Sequence, residues 1–206
     1  DTVYPRIMES RLTPLFGRGT TYRSMEGRDL PFPLPLLARL SRWHHVGFLR
    51  NAAVREQLRR IRHSASNPAA VDALDELVHG NLAFFLFRAI ERAKTELSLR
   101  DETTIRFAGD SIDIEERLRR DEFEALIAAD LASVRAALQR TLDDAGVAPG
   151  DIDAVFLTGG SAQIPAVQRI FVDTFGAGKI RNQDFLTSVA TGLGYDARRR
   201  AGIGAP

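Results

Sequence analysis

The sequence predicts an α/β fold, and three observations carry that reading. Near the carboxyl end, Asp153–Thr158 is a short unbroken apolar run of the kind found in buried parallel strands. It runs into Gly159-Gly160-Ser161 and then a helical pattern from about Ile164 to Phe175. Lys179–Asn182 and Ser188–Arg198 add a further strand and helix, completing a strand–turn–helix–strand–helix order.

The preceding elements follow from periodicity and punctuation. Ile7, Met8, Arg11, Leu12, Leu15 and Phe16 sit at helical spacing, and Gly17 and Gly19 end that helix. Gly27–Leu37 is apolar but broken by prolines, which fix φ and remove donors, so it is expected to be irregular or extended. Trp43–Arg62 reads as a helix with Val46, Leu49, Ala53, Leu58 and Ile61 inward. Asn67-Pro68 opens a long amphipathic helix carrying Leu74, Val78, Leu82, Phe85, Ala89 and Ala93 inward, with Gly80 as its weak point. Thr103–Phe107 and Ser111–Ile114 alternate around Gly109-Asp110, a hairpin. Asp121 and Glu124 resemble a capping box, followed by a stripe of Phe123, Ile127, Leu131, Val134, Leu138 and Leu142 that stops near Gly146.

Composition narrows the function classes. The 206 residues are 44% hydrophobic and 27% charged, ample for a core. A net charge of +1 argues against a broad footprint for nucleic acid. Cysteine is absent, which removes disulfides and thiolate metal sites and fits the cytoplasm. No apolar run approaches the roughly 20 residues that span a bilayer. The start at Asp1, without a methionine or signal pattern, leads us to expect a piece of a longer protein.

Two segments can carry chemistry. In Leu157-Thr158-Gly159-Gly160-Ser161-Ala162-Gln163-Ile164-Pro165, two glycines at a strand end let backbone approach a ligand, and the following helix start favours phosphate. A purely structural turn accounts for the same residues. In Glu91-Arg92-Ala93-Lys94-Thr95-Glu96-Leu97-Ser98, the residues Glu91, Lys94 and Ser98 share one helix face and offer partners for ribose hydroxyls and an adenine edge. A solvated face with a local ion pair accounts for these too. The adjacent His44 and His45 cannot face the same way on a helix, and a metal site is not expected there. The Trp43 and Phe84-Phe85-Phe87 group reads as core, and Phe32 as a candidate interface residue.

Taken in order, the two segments, the hairpin and Phe123 resemble the carboxyl-terminal half of the nucleotide-binding domain of the seventy-kilodalton heat-shock chaperones. The bacterial chaperone-like members are closer, through Leu30–Leu36 and Leu157–Ala162, and the resemblance runs from about Gly27 onward. It implies lobe II of the actin-like ATPase fold: a small α/β layer with a helical and β-hairpin insertion. The expected division is 1–26 with 115–206 as the α/β subdomain and 27–114 as the insertion.

By the same resemblance, Glu91, Lys94 and Ser98 face the ribose and adenine of ATP or ADP, and Gly159, Gly160 and Ser161 line the sugar and first phosphate. Both groups are expected on one cleft. Thr95 and Gln163 stand where the family stacks arginines on adenine, and Leu186 where it has an aspartate, which Asp184 could replace if the loop shifts. The phosphate loops, the magnesium-orienting aspartates and the catalytic lysine belong to a missing amino-terminal lobe. Magnesium is therefore expected only in the intact two-lobed protein, and this chain alone is not catalytic. The partners implied are that lobe and a nucleotide-exchange or co-chaperone protein, with no nucleic acid and no membrane. The alternative is a pseudo-ATPase or scaffold lobe that makes protein contacts without nucleotide.

Overall fold

The computed structural model describes residues 3–182 and 188–200, and only the backbone of 182, 188–191 and 199. Helices dominate, joined by three two-stranded sheets, so the mixed α/β class holds. The chain divides into two compact units, 1–127 and 128–206.

The first unit opens with α1 (Val3–Ile7), continued by a π turn over Met8–Leu12 and a 3-10 turn over Thr13–Phe16. Gly17 ends this run at φ 109°, where a Cβ would press on the Phe32 ring at 3.1 Å. Ile7, Met8, Leu12 and Phe16 are fully buried. Tyr4 is buried with them, its hydroxyl donating to the Leu40 carbonyl at 3.1 Å, and burial pushes its phenol well above the ordinary value.

A short hairpin follows, β1 (Thr21–Arg23) antiparallel to β2 (Asp29–Pro31). The proline-rich stretch then forms α2 (Leu34–Ala38), more helical than its prolines suggest, because Pro35 falls in the first turn where no donor is needed. Phe32 is only 2% exposed, so it is core and not an interface residue.

The single helix expected over Trp43–Arg62 is two elements. A 3-10 helix covers Trp43–Leu49, and α3 (Ala52–Ser64) begins afresh with Asn51 accepting from the Val54 amide at 2.9 Å. The restart turns Ala53 outward, while Leu58 and Ile61 are buried as expected. Asn67 caps α4 (Pro68–His79) in the same way, through the Ala70 amide.

The long helix expected from Asn67 to Leu97 is interrupted. Gly80, Asn81 and Leu82 separate α4 from α5 (Ala83–Leu99), with Asn81 in the left-handed region at φ 62°. After the break the buried stripe runs through Leu86, Ile90, Ala93 and Leu97, one position on from the expected Phe85 and Ala89 and coinciding with expectation at Ala93. Phe84 and Phe85, expected in the core, are 42% and 59% exposed. Trp43 is half-buried and meets Phe84 and Phe87 at ring distances of 5.4 and 5.5 Å.

α5 packs on the hairpin of β3 (Glu102–Ala108) and β4 (Asp113–Arg119), paired from Glu102↔Arg119 to Ala108↔Asp113. Its loop has four residues, with the Gly109 amide donating to the Ile112 carbonyl at 2.7 Å. The Glu76 carboxylate of α4 accepts from the Asp110 amide at 2.7 Å and from the Ser111 amide, fastening the hairpin tip. Glu76→Ala is expected to cost about 1 kcal/mol and to speed amide exchange at Asp110 and Ser111. Unchanged protection at both amides would contradict that role.

α6 (Arg120–Leu126) is capped two positions before the expected place: Glu122, not Glu124, accepts from the Arg119 amide, at 3.1 Å. Asp121 is held below the carboxylate range by its hydrogen bond to Arg119, and Glu122 by the Arg119 amide and then by Arg11. Such groups stabilise the fold above their unfolded pKa, and the contribution is lost as pH falls through the folded value. Acid titration followed by NMR should therefore loosen α6 at its first turn before the core responds. Retention of its amide shifts down to full carboxyl protonation would contradict this.

The second unit begins at α7 (Ala128–Ala145), where the expected stripe is shallow. Leu142 is buried, but Leu131, Val134 and Leu138 are half-buried. β5 (Val155–Leu157), α8 (Pro165–Phe175) and β6 (Ile180–Asn182) form a parallel βαβ unit with register Val155↔Ile180. α9 (Ser188–Arg200) ends the described chain.

Candidate functional site

The end of α5 is built by its own sequence and pinned from the hairpin. Arg100 leaves the helix in extended conformation, its amide closing on the Glu96 carbonyl at 2.8 Å. Arg120, at the start of α6, donates from Nε to the Leu97 carbonyl at 2.8 Å and pairs with Asp101 at 2.9 Å. The Leu97 carbonyl belongs to the last turn and has no amide within the helix, so Arg120 supplies its partner. Sequence reasoning missed this residue, because 23 positions separate donor and acceptor and no spacing rule links them.

On that turn Glu91, Lys94 and Ser98 come together as predicted. The Lys94 ammonium donates to both Glu91 oxygens, at 2.9 and 3.1 Å, with its side chain only 9% exposed. The Ser98 hydroxyl donates to the Lys94 carbonyl at 3.3 Å, leaving its oxygen lone pairs as acceptors. Thr95 is exposed and donates to the Glu91 carbonyl at 3.1 Å.

A separate polar depression of about 330 Å³ lies along α5, lined by Arg92, Glu96, Arg100, Thr103 and Arg106 among others. At 100° per residue, its helix positions fall on the opposite border of the buried stripe from Glu91, Lys94 and Ser98.

In the second unit the glycine corner stands open. Gly159 has φ 86° and ψ 162°, a combination that L side chains rarely adopt. A Cβ at Gly159 or at Gly160 would meet no atom within 4 Å. Internal packing therefore does not require Gly160, whereas approach of a ligand to the backbone would. The corner is a 3-10 turn over Gly160–Gln163, closed by the Ala162 amide on the Gly159 carbonyl at 3.1 Å. Ser161 is exposed and Gln163 half-buried, and Gln168 holds the Ala162 carbonyl at 2.9 Å. Asp184 and Leu186 lie outside the described residues.

Among the described residues no group of three or more His, Asp or Glu side chains could hold a metal ion. His44 and His45, adjacent on the 3-10 helix, touch edge to face at 4.5 Å. No described helix is long and apolar enough to cross a membrane.

Comparison with known proteins shows what the chain is similar to. A sequence model of the Hsp70 protein family matches residues 72–198, which include both candidate segments. The family match thus begins well after Gly27, and the proline-rich segment lies outside it. The chaperone protein DnaK of Deinococcus radiodurans is 40% identical over 126 residues, 57% of this chain and 19% of that protein. DnaK of Thermus thermophilus is 36% identical over 120 residues, covering 54% and 20% respectively. DnaK of Thermotoga maritima is 32% identical over 121 residues, covering 55% and 20%. The aligned stretch spans about a fifth of the length of these relatives.

Proposed function

The chain belongs to the Hsp70 protein family, and from that premise we propose that it is the second lobe of an actin-like nucleotide-binding domain, supplying half of an ATP or ADP site. The observation that carries the reading is the buried Lys94 held on Glu91 beside Ser98. It is a fixed set of cation, carboxylate and hydroxyl at a helix end that the family match includes.

In this reading Glu91 and Ser98 accept from the ribose hydroxyls and Lys94 donates to the sugar or adenine edge. The open Gly159-Gly160-Ser161 corner takes the sugar and first phosphate, its backbone amides reaching the anion without Cβ interference. Gln163 borders the base. The nucleotide supplies the phosphoryl chemistry when bound. This chain binds and orients it, and catalytic positioning of magnesium and water falls to the amino-terminal lobe of the whole protein. That lobe and an exchange or co-chaperone protein are the proposed partners, and the cytoplasm the proposed compartment.

Calorimetric titration of the chain with ADP tests this. Heat that saturates, and that falls when Lys94 is replaced, is the expected outcome; no heat at any accessible concentration would overturn it.

One observation favours a second reading, a scaffold lobe without nucleotide. Thr95 is exposed and spends its hydroxyl on the Glu91 carbonyl, so the position where relatives of this type stack an arginine offers no plane over a base. That outcome is the no-heat result of the same titration.

A further inference from the structure

A cluster of arginines sits on α3, a helix that the family match leaves out. α3 carries Arg55, Arg59, Arg60 and Arg62 against a single acid, Glu56. Arg62 is paired with Asp72, and Arg60 lies 4.0 Å from Glu56. Arg55 and Arg59, one turn apart, make no ion pair or hydrogen bond through their side chains among the described residues. Both line a depression of about 690 Å³ together with Arg50, Asn51, Glu56 and His79.

The depression is built at three points. Arg50 is steered by a hydrogen bond to the Asn81 side chain, the residue whose left-handed backbone separates α4 from α5. His79 has a side chain only 10% exposed, with Nδ1 2.8 Å from Asp75, while its Nε2 is buried without a hydrogen-bond partner. The floor includes Asn51, which takes the Val54 amide, and Ala52, whose amide lies in the first turn of α3 and has no carbonyl partner within the helix.

Three guanidinium groups facing one carboxylate leave an excess of positive charge that the protein does not neutralise itself. Lysine occurs only twice in the chain, so this charge is presented as planar forks, the geometry that grips phosphate oxygens in pairs. The first-turn amide of Ala52 adds a directional donor to the same space. A carboxylate offers two oxygens and one charge; a phosphoryl group offers three oxygens and nearly two charges, which matches three arginines better.

We propose that Arg50, Arg55 and Arg59, with His79 at the edge, form a binding site for a phosphoryl group, separate from the α5 nucleotide face. The group belongs to a soluble phosphorylated compound or to a phospholipid headgroup, and the two are told apart below.

The test uses the 206-residue chain and tripolyphosphate as the probe in isothermal titration. Saturable heat is expected, weakened about tenfold or more in R55Q/R59Q, which removes two charge-assisted contacts to the phosphoryl oxygens. R106Q removes an equally exposed arginine from the hairpin and should leave the affinity unchanged. Matching thermal midpoints show that both variants fold; if R55Q/R59Q does not, R50Q takes its place in the comparison. Cosedimentation with phosphatidylcholine vesicles, with and without phosphatidate, forms the second arm. Tripolyphosphate binding without vesicle binding assigns the site to a soluble compound, and binding to phosphatidate vesicles alone assigns it to a headgroup. Absence of both, or an equal loss in R106Q, would overturn the site.

Discussion

Lys94→Ala is expected to weaken ADP binding by roughly ten- to a hundredfold, the range that one charge-assisted hydrogen bond commands. The loss has two sources. The donor itself disappears, and Glu91, no longer held at 2.9 and 3.1 Å, is free to swing out of the orientation in which it meets the ribose. Folding should suffer little, because Glu91 is already 32% exposed and rehydrates when its partner goes. Lys94→Arg keeps the charge but not the compact ammonium, so it should recover only part of the affinity. Calorimetry on the three proteins, with thermal midpoints recorded alongside, checks both statements. Equal affinity in wild type and Lys94→Ala would remove Lys94 from the site.

Phe123→Ala should produce the largest loss of stability, about 3–5 kcal/mol for a buried aromatic truncated to a methyl. Phe123 is 2% exposed in α6, which packs on α1 and β4. Native stabilities run to about 5–15 kcal/mol, so this change consumes a large share of the total. Urea unfolding measures it. The effect should reach the nucleotide face as well, because α6 begins at Arg120, whose Nε holds the Leu97 carbonyl at the end of α5. A loss below 1 kcal/mol would mean that the surroundings collapse onto the site or that the ring is not part of the core.

The sequence was most legible where local chemistry decides the outcome. Asn67-Pro68 starts a helix because a side-chain acceptor and a missing donor suit that position, whatever packs nearby. The strand, glycine corner and helix from Val155 to Phe175 follow from the same kind of local rule. The grouping of Glu91, Lys94 and Ser98 needed only helical spacing.

Legibility failed where one residue reset a pattern or where partners were distant in the chain. Asn81, at φ 62°, ends one helix and starts the next, and the one-position shift moved Phe85 outward and Leu86 inward. Gly80 was recognised as weak, but not as part of a break. Phe32 looked exposed because prolines flank it, yet its ring lies where a Cβ on Gly17 would fall, a contact no periodicity reveals. Arg120 and Glu76 act on backbone groups more than twenty positions away, so only the tertiary fold exposes their roles.

The central claim is that the end of α5 meets a nucleotide. Photolabelling with an azido-adenine diphosphate, followed by peptide mapping, tests it most directly. The account predicts a cross-link on the peptide containing Lys94, suppressed by excess ADP. Absence of label from that peptide, or labelling that ADP does not suppress, would contradict it.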